Sequence, residues 1–373
     1  MSLFTFQKLK PYFSRPIPEN KIIKPIDGLR FISILIVIIT HSSSYALEYL
    51  LQDDTLKYFE NGHGGVHMFF AISGFVLSQQ LILNTSKFNY WSYLRRRFER
   101  IEPPLFITAA IMVILQVILF GDPKKYIESY FYVITYTSTY FQMNKLLAVY
   151  WSLDVEFAFY IFLPLFWIFF RKNTLFWIFF LLSIELFSFD VPLLPNMKFF
   201  AAGILVSILY SHKDKFSILP KENTIKNALT ILLIMVLFFS RHLIMSPYFD
   251  LLESMLLFVI LYLVVIQKAL NSILSHSLVF RLGSACYIIY LVHYPIISGI
   301  GRIFQKMNIY GDISGYFLWI MLIFTGLFGS FLIFPLLERP FMVKKWWKFK
   351  FKDLVLHPEK IQPSTQQTGA KPQ

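Results

Sequence analysis

Ionisable side chains occur inside apolar runs that are long enough to cross a membrane. In the first such run, His41 follows Arg30 by eleven residues. At about 100° per residue, this spacing places the two side chains roughly 20° apart on one helix face and about 16 Å apart along its axis. A guanidinium can bind an anion, and a neutral imidazole can accept a proton at about neutral pH. Because ionisable groups are costly in lipid, the pair predicts a functional site.

Each of these two residues also has a structural explanation. Arg30 could be an interfacial arginine whose charged end reaches towards water. His41 could be a core histidine with satisfied hydrogen bonds. The common helix face favours a joint role over both alternatives.

Three further polar groups fall at a similar depth in other runs. Glu156 lies about 12 Å below the outer boundary of its run, and His41 lies about 8 Å below that boundary. Ser73 and His293 fall near the middle of their runs. We therefore predict that these four side chains share one cavity. The alternative for Glu156 is a structural carboxylate that is paired with an arginine or histidine of the bundle.

Four arginines precede the third apolar run, within the segment 93–103 (YLRRRFERIEP). Two of them, Arg97 and Arg100, are three residues apart and share a helix face. Guanidinium groups bind phosphates in a bidentate manner, so a phosphate clamp is one hypothesis. The other is that the cluster only marks the cytoplasmic side of the membrane.

Membrane-spanning helices are the elements that must position these residues. The 373-residue chain is 56% hydrophobic and only 15% charged, whereas soluble domains carry about 25% charged residues. We expect an all-α, polytopic membrane helix bundle of about ten transmembrane helices. The apolar runs lie at 26–47, 64–83, 103–120, 148–169, 174–190, 197–211, 226–245, 250–268, 282–301 and 314–337. The aromatic stretch 126–143 is predicted to be an interfacial helix or a re-entrant segment.

The distribution of basic residues predicts the orientation of the bundle. With the N-terminus inside, the inner segments hold 26 Lys and Arg residues and the outer loops hold 8. Because basic segments are retained in the cytoplasm, both termini are predicted to be cytoplasmic. The expected parts are a cytoplasmic tail at 1–23, a membrane domain at 24–343 and a basic, then disordered, cytoplasmic tail at 344–373. The single cysteine, Cys286, excludes an intrachain disulfide and a cysteine-ligated zinc site, and no metal site is expected.

The motifs that carry these residues together resemble the acyltransferase 3 family, whose members are integral membrane acyltransferases that modify surface and secreted carbohydrates. The resemblance runs from about residue 24 to 343 and therefore covers nearly the whole predicted membrane domain. The matching motifs are Asp27-Gly28-Leu29-Arg30 with His41, Gly65-Val66 with Ser73-Gly74-Phe75, Arg97-x-x-Arg100-Ile101, Trp151-Ser152-Leu153-x-x-Glu156 with Tyr160, Tyr287-x-x-Tyr290-Leu291-x-His293-x-Pro295, and Glu338-Arg339-Pro340-Phe341.

The resemblance implies transfer of an acyl group, commonly acetyl, from cytoplasmic acyl-CoA to a sugar hydroxyl at or across the membrane. By analogy, His41 is the catalytic residue, and we expect Glu156 to orient it or stabilise its charge. Donor binding would fall to three arginines: Arg30, Arg97 and Arg100. Substrate-binding or structural roles in the cavity are expected for Asp27, Ser73, Trp151, Tyr290 and His293.

The resemblance also implies the partners. Acyl-CoA is expected as a donor substrate rather than as a permanently bound cofactor, and the protein is expected in the inner or plasma membrane. The acceptor would be O-antigen, exopolysaccharide or another glycan, and the basic, tryptophan-bearing C-terminal stretch suits anionic membrane lipids. We expect no fused extracytoplasmic domain of the kind that some family members carry, so the bundle would complete the transfer or hand over to a separate extracytoplasmic partner. Nucleic acid is not an expected partner, since the arginines lie at membrane boundaries.

Two positions depart from the family pattern, and two other functions stay open. His67 stands where the family often has an acidic residue, and Cys286 stands where it often has serine. Intramembrane His, Glu and Arg side chains also build transport pathways, so a transporter or flippase of a sugar-lipid is the main alternative. A non-enzymatic membrane partner is the second alternative.

Overall fold

The computed structural model describes residues 11–16, 22–49, 54–60, 62–83, 88–141, 148–170, 193–216, 224–243, 249–307 and 312–357. Within these ranges the chain forms helices and no strands, which agrees with the predicted all-α class. The helices of eight or more residues are α1 (Lys24–Tyr49), α2 (His63–Leu83), α3 (Tyr90–Phe120), α4 (Pro123–Ile134), α5 (Trp151–Phe170), α6 (Leu193–Tyr210), α7 (Thr224–Leu243), α8 (Phe249–Val265), α9 (Ser277–Ser284), α10 (Cys286–Lys306) and α11 (Asp312–Leu337).

Six helices of the described part are long and apolar enough to cross a membrane: α1, α2, α3, α6, α10 and α11. Helices α5, α7 and α8 coincide with three further predicted runs but are not among these six. The predicted run 174–190 lies outside the described residues. The membrane character of the chain is therefore supported, while the count of about ten spans and the orientation of the termini stay predictions.

Helix α3 begins thirteen residues before the predicted run 103–120, because the side chain of Asn89 caps it by accepting a hydrogen bond from the backbone N–H of Ser92 at 2.8 Å. The arginine cluster is consequently helical. Pro103 lies inside the helix and has no N–H, which frees the carbonyl of Glu99 one turn earlier. The indole N–H of Trp346 donates to that carbonyl at 2.9 Å. The C-terminal segment thus supplies the bond that the proline removes.

The predicted run 282–301 is divided in the structure. Helix α9 ends and α10 begins at Ala285, whose N–H still bonds to the carbonyls of Arg281 and Leu282. Gly283 packs directly on α1, since a Cβ at this position would lie 1.7 Å from the carbonyl oxygen of Asp27. This close approach holds the break beside the start of α1.

The two chain ends pack against each other. We call residues 11–16 the N-terminal strap. The buried Arg339 donates to the strap carbonyls of Pro11 at 2.8 Å and Ser14 at 3.2 Å, and also to the carbonyl of Leu354 at 3.2 Å. The first part of the predicted C-terminal tail, 344–357, contacts the bundle through Trp346 and Leu354. Residues 358–373 lie outside the described residues.

The aromatic stretch 126–143 contributes helix α4, whose buried residues are Tyr126, Ser129 and Val133. A turn follows, in which Tyr136 adopts a left-handed backbone with φ of 56°. The first half of this stretch is helical, while its location as an interfacial helix or a re-entrant segment stays a prediction. The turn carries Tyr136 towards α5.

Glycines allow α2 and α6 to pack with their backbones in contact. A Cβ on Gly203 would lie 1.8 Å from the carbonyl oxygen of Ala71, and a Cβ on Gly74 would lie 2.1 Å from that of Phe200. Small residues of this kind let membrane helices approach closely and gain dispersion contacts. This contact fixes α2, which carries Ser73.

We predict that Gly203→Ala destabilises the folded protein by about 1–3 kcal/mol, because the added methyl group forces α2 and α6 apart. Thermal melting of the purified protein in detergent measures this effect. Gly299→Ala is the matched control, since nothing lies within 4 Å of a Cβ at that position. A Gly203→Ala variant that melts with the control would contradict the close contact.

Candidate active site

An open cavity, whose empty space is about 1010 Å³ when the solvent at its mouth is included, lies between the strap and helices α1, α2, α3, α5 and α10. Its apolar wall comes largely from aliphatic and phenylalanine side chains of α2 and α5. Six of the ten predicted site residues line it: Arg30, Ser73, Arg97, Arg100, Glu156 and Tyr290. The structure therefore assembles both the predicted anion-binding arginines and part of the predicted polar group in one place.

Two of the cavity arginines share a single carboxylate. Arg30 approaches Oδ1 of Asp27 at 2.8 Å, and Arg15 of the strap approaches the same atom at 3.0 Å. Asp27 is only 1% exposed, whereas the Arg30 side chain is 19% exposed. The predicted residue Asp27 thus lies behind the wall and holds two guanidinium groups that face the cavity.

The other two cavity arginines belong to α3. Arg97 donates to the amide oxygen of Gln80 at 2.9 Å, and its guanidinium lies 5.5 Å from the centre of the Tyr160 ring. Arg100 makes no side-chain hydrogen bond within the described part of the chain. It interacts electrostatically with the carboxylate of Glu338. Neither arginine is therefore neutralised by a bonded carboxylate.

Glu338 lies just after α11 and faces this arginine cluster. Its Oε2 accepts a hydrogen bond from the backbone N–H of Ile288 at 3.0 Å. Burial raises the pKa of Glu338, and the positive charge of Arg100 acts in the opposite direction. Four arginines line the cavity, and of the described residues that line it Glu156 is the one carboxylate. The cavity is suited to an anionic ligand.

Glu156 lines the cavity and is held by two hydroxyl groups. Ser73 donates to its Oε1 at 2.6 Å, and Tyr160 donates to the same oxygen through a short hydrogen bond. Oε2 accepts no hydrogen bond from the described residues. One carboxylate oxygen is therefore fixed by the fold, and the other can accept a bond from a ligand.

Tyr290 joins α10 to the start of α5. Its hydroxyl donates to the carbonyl of Val149 at 2.9 Å and lies 2.6 Å from Oγ of Ser152. The neighbouring Trp151 packs edge-to-face against Phe70, with ring centres 6.2 Å apart. Trp151 thus supports an apolar wall residue rather than lining the cavity itself.

His41 and His293 form a second polar group, with ring centres 5.3 Å apart. Nδ1 of the fully buried His293 lies 3.0 Å and 2.8 Å from the carbonyl oxygens of Ile289 and Tyr290. Because carbonyls only accept hydrogen bonds, Nδ1 carries the proton and Nε2 is an acceptor. Within the described structure Nε2 has no hydrogen-bond partner. A buried acceptor without a partner is costly and marks this pair as a candidate for chemistry.

The four side chains predicted to share a cavity thus form two adjacent pairs. Ser73 bonds to Glu156 at the cavity wall, whereas His41 packs against His293 and is not among the side chains that line the cavity. The ring of Tyr290 lies between the groups, with its centre 5.8 Å from that of His293. Which side chains meet is set by the packing of the helices, and an estimate of depth along each run does not contain this information.

Arg15 and Tyr136 line the cavity but were not singled out in the sequence. Arg15 was counted only as a basic residue of the N-terminal tail. The Tyr136 ring stacks on Phe157 with centres 4.0 Å apart, and burial raises the pKa of its hydroxyl. Both residues reach the cavity through contacts between distant parts of the chain, for which the sequence carries no local signal.

The two departures from the family pattern have different surroundings. His67 approaches Glu253 of α8 at 2.8 Å and stacks on Phe199 at 3.7 Å between ring centres. A carboxylate is therefore present beside this position, although it comes from another helix. Cys286 lines the cavity close to Arg30. Among the described residues no group of three or more His, Cys, Asp or Glu side chains could hold a metal ion.

Comparison with known proteins gives one result that bears on function. The model of the acyltransferase 3 family, described as an acyltransferase domain, matches residues 23–339. The chain belongs to the acyltransferase 3 family. This membership, with the apolar helices, makes it a membrane acyltransferase and weighs against the transporter alternative. No curated protein and no solved structure matches the chain.

We predict that Glu156→Gln leaves the melting temperature unchanged, because an amide oxygen at the Oε1 position can accept both hydroxyl bonds. Glu156→Ala should instead cost about 1–3 kcal/mol, since two hydroxyls lose their acceptor. Acyl-transfer assays on the Glu156→Gln protein then separate charge from structure. Full activity in this variant would assign Glu156 a structural role only.

Proposed function

We propose that the protein transfers an acyl group, most simply acetyl, from acyl-CoA to a hydroxyl of a cell-surface or exported carbohydrate. The observation that carries this proposal is the cavity in which four arginines converge, while a single carboxylate lines its wall among the described residues. Within a membrane acyltransferase, a donor with several phosphate groups is the ligand class that such an excess of guanidinium suits.

The phosphates of the donor would be bound by Arg97 and Arg100. Arg100 is the better candidate for a direct ligand, because its donors are not engaged by the described residues. Arg97 is already oriented by Gln80 and the Tyr160 ring. Arg30 would line the path of the pantetheine arm, with the free oxygen of Glu156 as an acceptor for an amide N–H of that arm.

The reacting end of the donor would reach His41, since the roughly 16 Å between Arg30 and His41 along α1 is comparable with an extended pantetheine arm. The arm must then pass Tyr290, which stands between the cavity and the two histidines. A change in the side-chain conformation of Tyr290 would open this route. Because Glu156 has no contact with His41, we assign it to the arm rather than to the base.

His41 would act as the general base. Its N–H can donate to the unpartnered Nε2 of His293, which leaves the other ring nitrogen of His41 as a proton acceptor. His41 removes the proton of the sugar hydroxyl, the hydroxyl oxygen bonds to the thioester carbonyl carbon, and the carbon–sulfur bond breaks. The proton passes to the departing sulfur, so the products are the sugar ester and free CoA. A covalent acyl-histidine is the variant of this route that the same residues permit.

The proposed site in the cell is the inner or plasma membrane, with both termini and the arginine-lined end in the cytoplasm. The excess of basic residues in the segments on that side supports this orientation. O-antigen, exopolysaccharide and other exported glycans are the acceptor classes to test. A separate extracytoplasmic partner would receive the acyl group where the bundle does not complete the transfer.

We predict that Arg100→Ala raises the KM for acetyl-CoA about tenfold or more and lowers kcat less, because the lost bonds hold a phosphate far from the reacting carbon. Steady-state kinetics of the purified enzyme measure the change. Arg96→Ala is the matched control, since Arg96 is exposed and does not line the cavity. An unchanged KM in Arg100→Ala would reduce the cluster to a marker of membrane orientation.

We predict that His41→Ala lowers kcat by about 100-fold or more, as expected for loss of a general base. Mass spectrometry of surface glycans from cells that carry this variant should show loss of the acyl ester that wild-type cells contain. His276→Ala, at an exposed position, is the control. A His41→Ala protein that inserts at the wild-type level and keeps full transfer would contradict the proposed mechanism.

A further inference from the structure

We propose that Arg15 is a positioning residue of the donor cavity: by binding part of the Asp27 carboxylate, it leaves the charge of Arg30 available to the bound anion. This inference rests on the proposed function, because it assumes that the anion is acyl-CoA. Arg15 lies outside the matched domain, which begins at residue 23. It is therefore a contribution of this chain's own N-terminal strap.

Arg15 is held in place by the Asp27 carboxylate and by the backbone carbonyl of Ser284. Nη1 donates to Oδ2 of Asp27 at 3.1 Å, and Nη2 lies 3.0 Å from Oδ1. Nε and Nη2 also donate to the carbonyl of Ser284 at 3.2 Å and 3.1 Å. With most of its N–H groups engaged and only 7% of its side chain exposed, Arg15 has little left to bind a ligand directly.

Arg30 is held differently. It makes one contact with Asp27, at 2.8 Å, and its side chain is more exposed to the cavity than that of Arg15. One carboxylate cannot neutralise two guanidinium groups, so the trio carries a net positive charge. Without Arg15, Asp27 would pair with Arg30 alone, and the cavity would lose one unit of positive charge at the place where the donor passes.

The strap has anchors that do not depend on Arg15. Arg339 holds the carbonyls of Pro11 and Ser14, and the hydroxyl of Tyr12 donates to the carbonyl of Leu356 at 2.9 Å. Substitution of Arg15 should therefore change the charge at Asp27 while the strap stays in place. This separation makes the proposal testable.

The experiment is a calorimetric titration of the purified full-length protein with CoA. Arg15→Ala should weaken CoA binding about tenfold, while Arg15→Lys, which keeps a cation beside Asp27, should retain most of the affinity. The exposed control Arg96→Ala should bind as wild type does. The deciding variant is Arg15→Ala with Asp27→Asn, in which no carboxylate remains to neutralise Arg30, so affinity should recover.

The outcomes separate the two proposals. If wild type binds CoA and Arg15→Ala binds it equally well, the role of Arg15 is overturned and the proposed donor stands. If Arg15→Lys binds as weakly as Arg15→Ala at an unchanged melting temperature, charge is not the cause and the inference is also overturned. If wild type binds no CoA, both the proposed donor and the inference that rests on it fail. Recovery in the double variant supports the inference, because loss of a merely structural contact would not be reversed by a second loss.

Discussion

An ionised group inside an apolar helix bundle must be paired with an opposite charge or have a functional role. The buried carboxylate of Asp27 is such a group, and the charge of the whole site depends on how it is paired. Two arginines converge on it at 2.8 Å and 3.0 Å, so neither is fully neutralised. A membrane helix bundle tolerates such an excess where the charge borders a cavity. Three parts of the fold meet at this point: the strap, the start of α1 and the break at Ala285. The packing of this end of the bundle therefore determines the charge that borders the cavity.

Much of the helical architecture follows from hydropathy, because a run of apolar residues has few other ways to satisfy its backbone in lipid. Hydropathy predicts the first and last residues of the helices less well. Helix α3 extends through the arginine cluster because Asn89 caps it. The run that begins near 282 is broken at Ala285, two residues after Gly283 packs on Asp27. Capping and close packing depend on contacts between individual residues, and the average hydropathy of a run of residues does not report such contacts.

The candidate site was likewise predicted only in part from the sequence. Motif residues predicted the arginines that the cavity brings together, and Ser73 and His293 were predicted to share one cavity. Packing then separated them, since Ser73 faces α5 and His293 faces α1. Arg15 could not be predicted, because its partners Asp27 and Ser284 are twelve and 269 residues away. Residues that complete a cavity from a distant segment are visible only once the chain is folded.

The central claim is that the arginine-lined cavity binds the acyl donor. The most direct measurement is an experimental structure of the purified protein with CoA bound, in lipid nanodiscs. The account predicts one CoA in the cavity between α2, α3 and α10, with phosphate oxygens within hydrogen-bond distance of Arg100 and with the thiol directed towards Tyr290. CoA bound elsewhere, or an empty cavity in a preparation that transfers acyl groups, would contradict it.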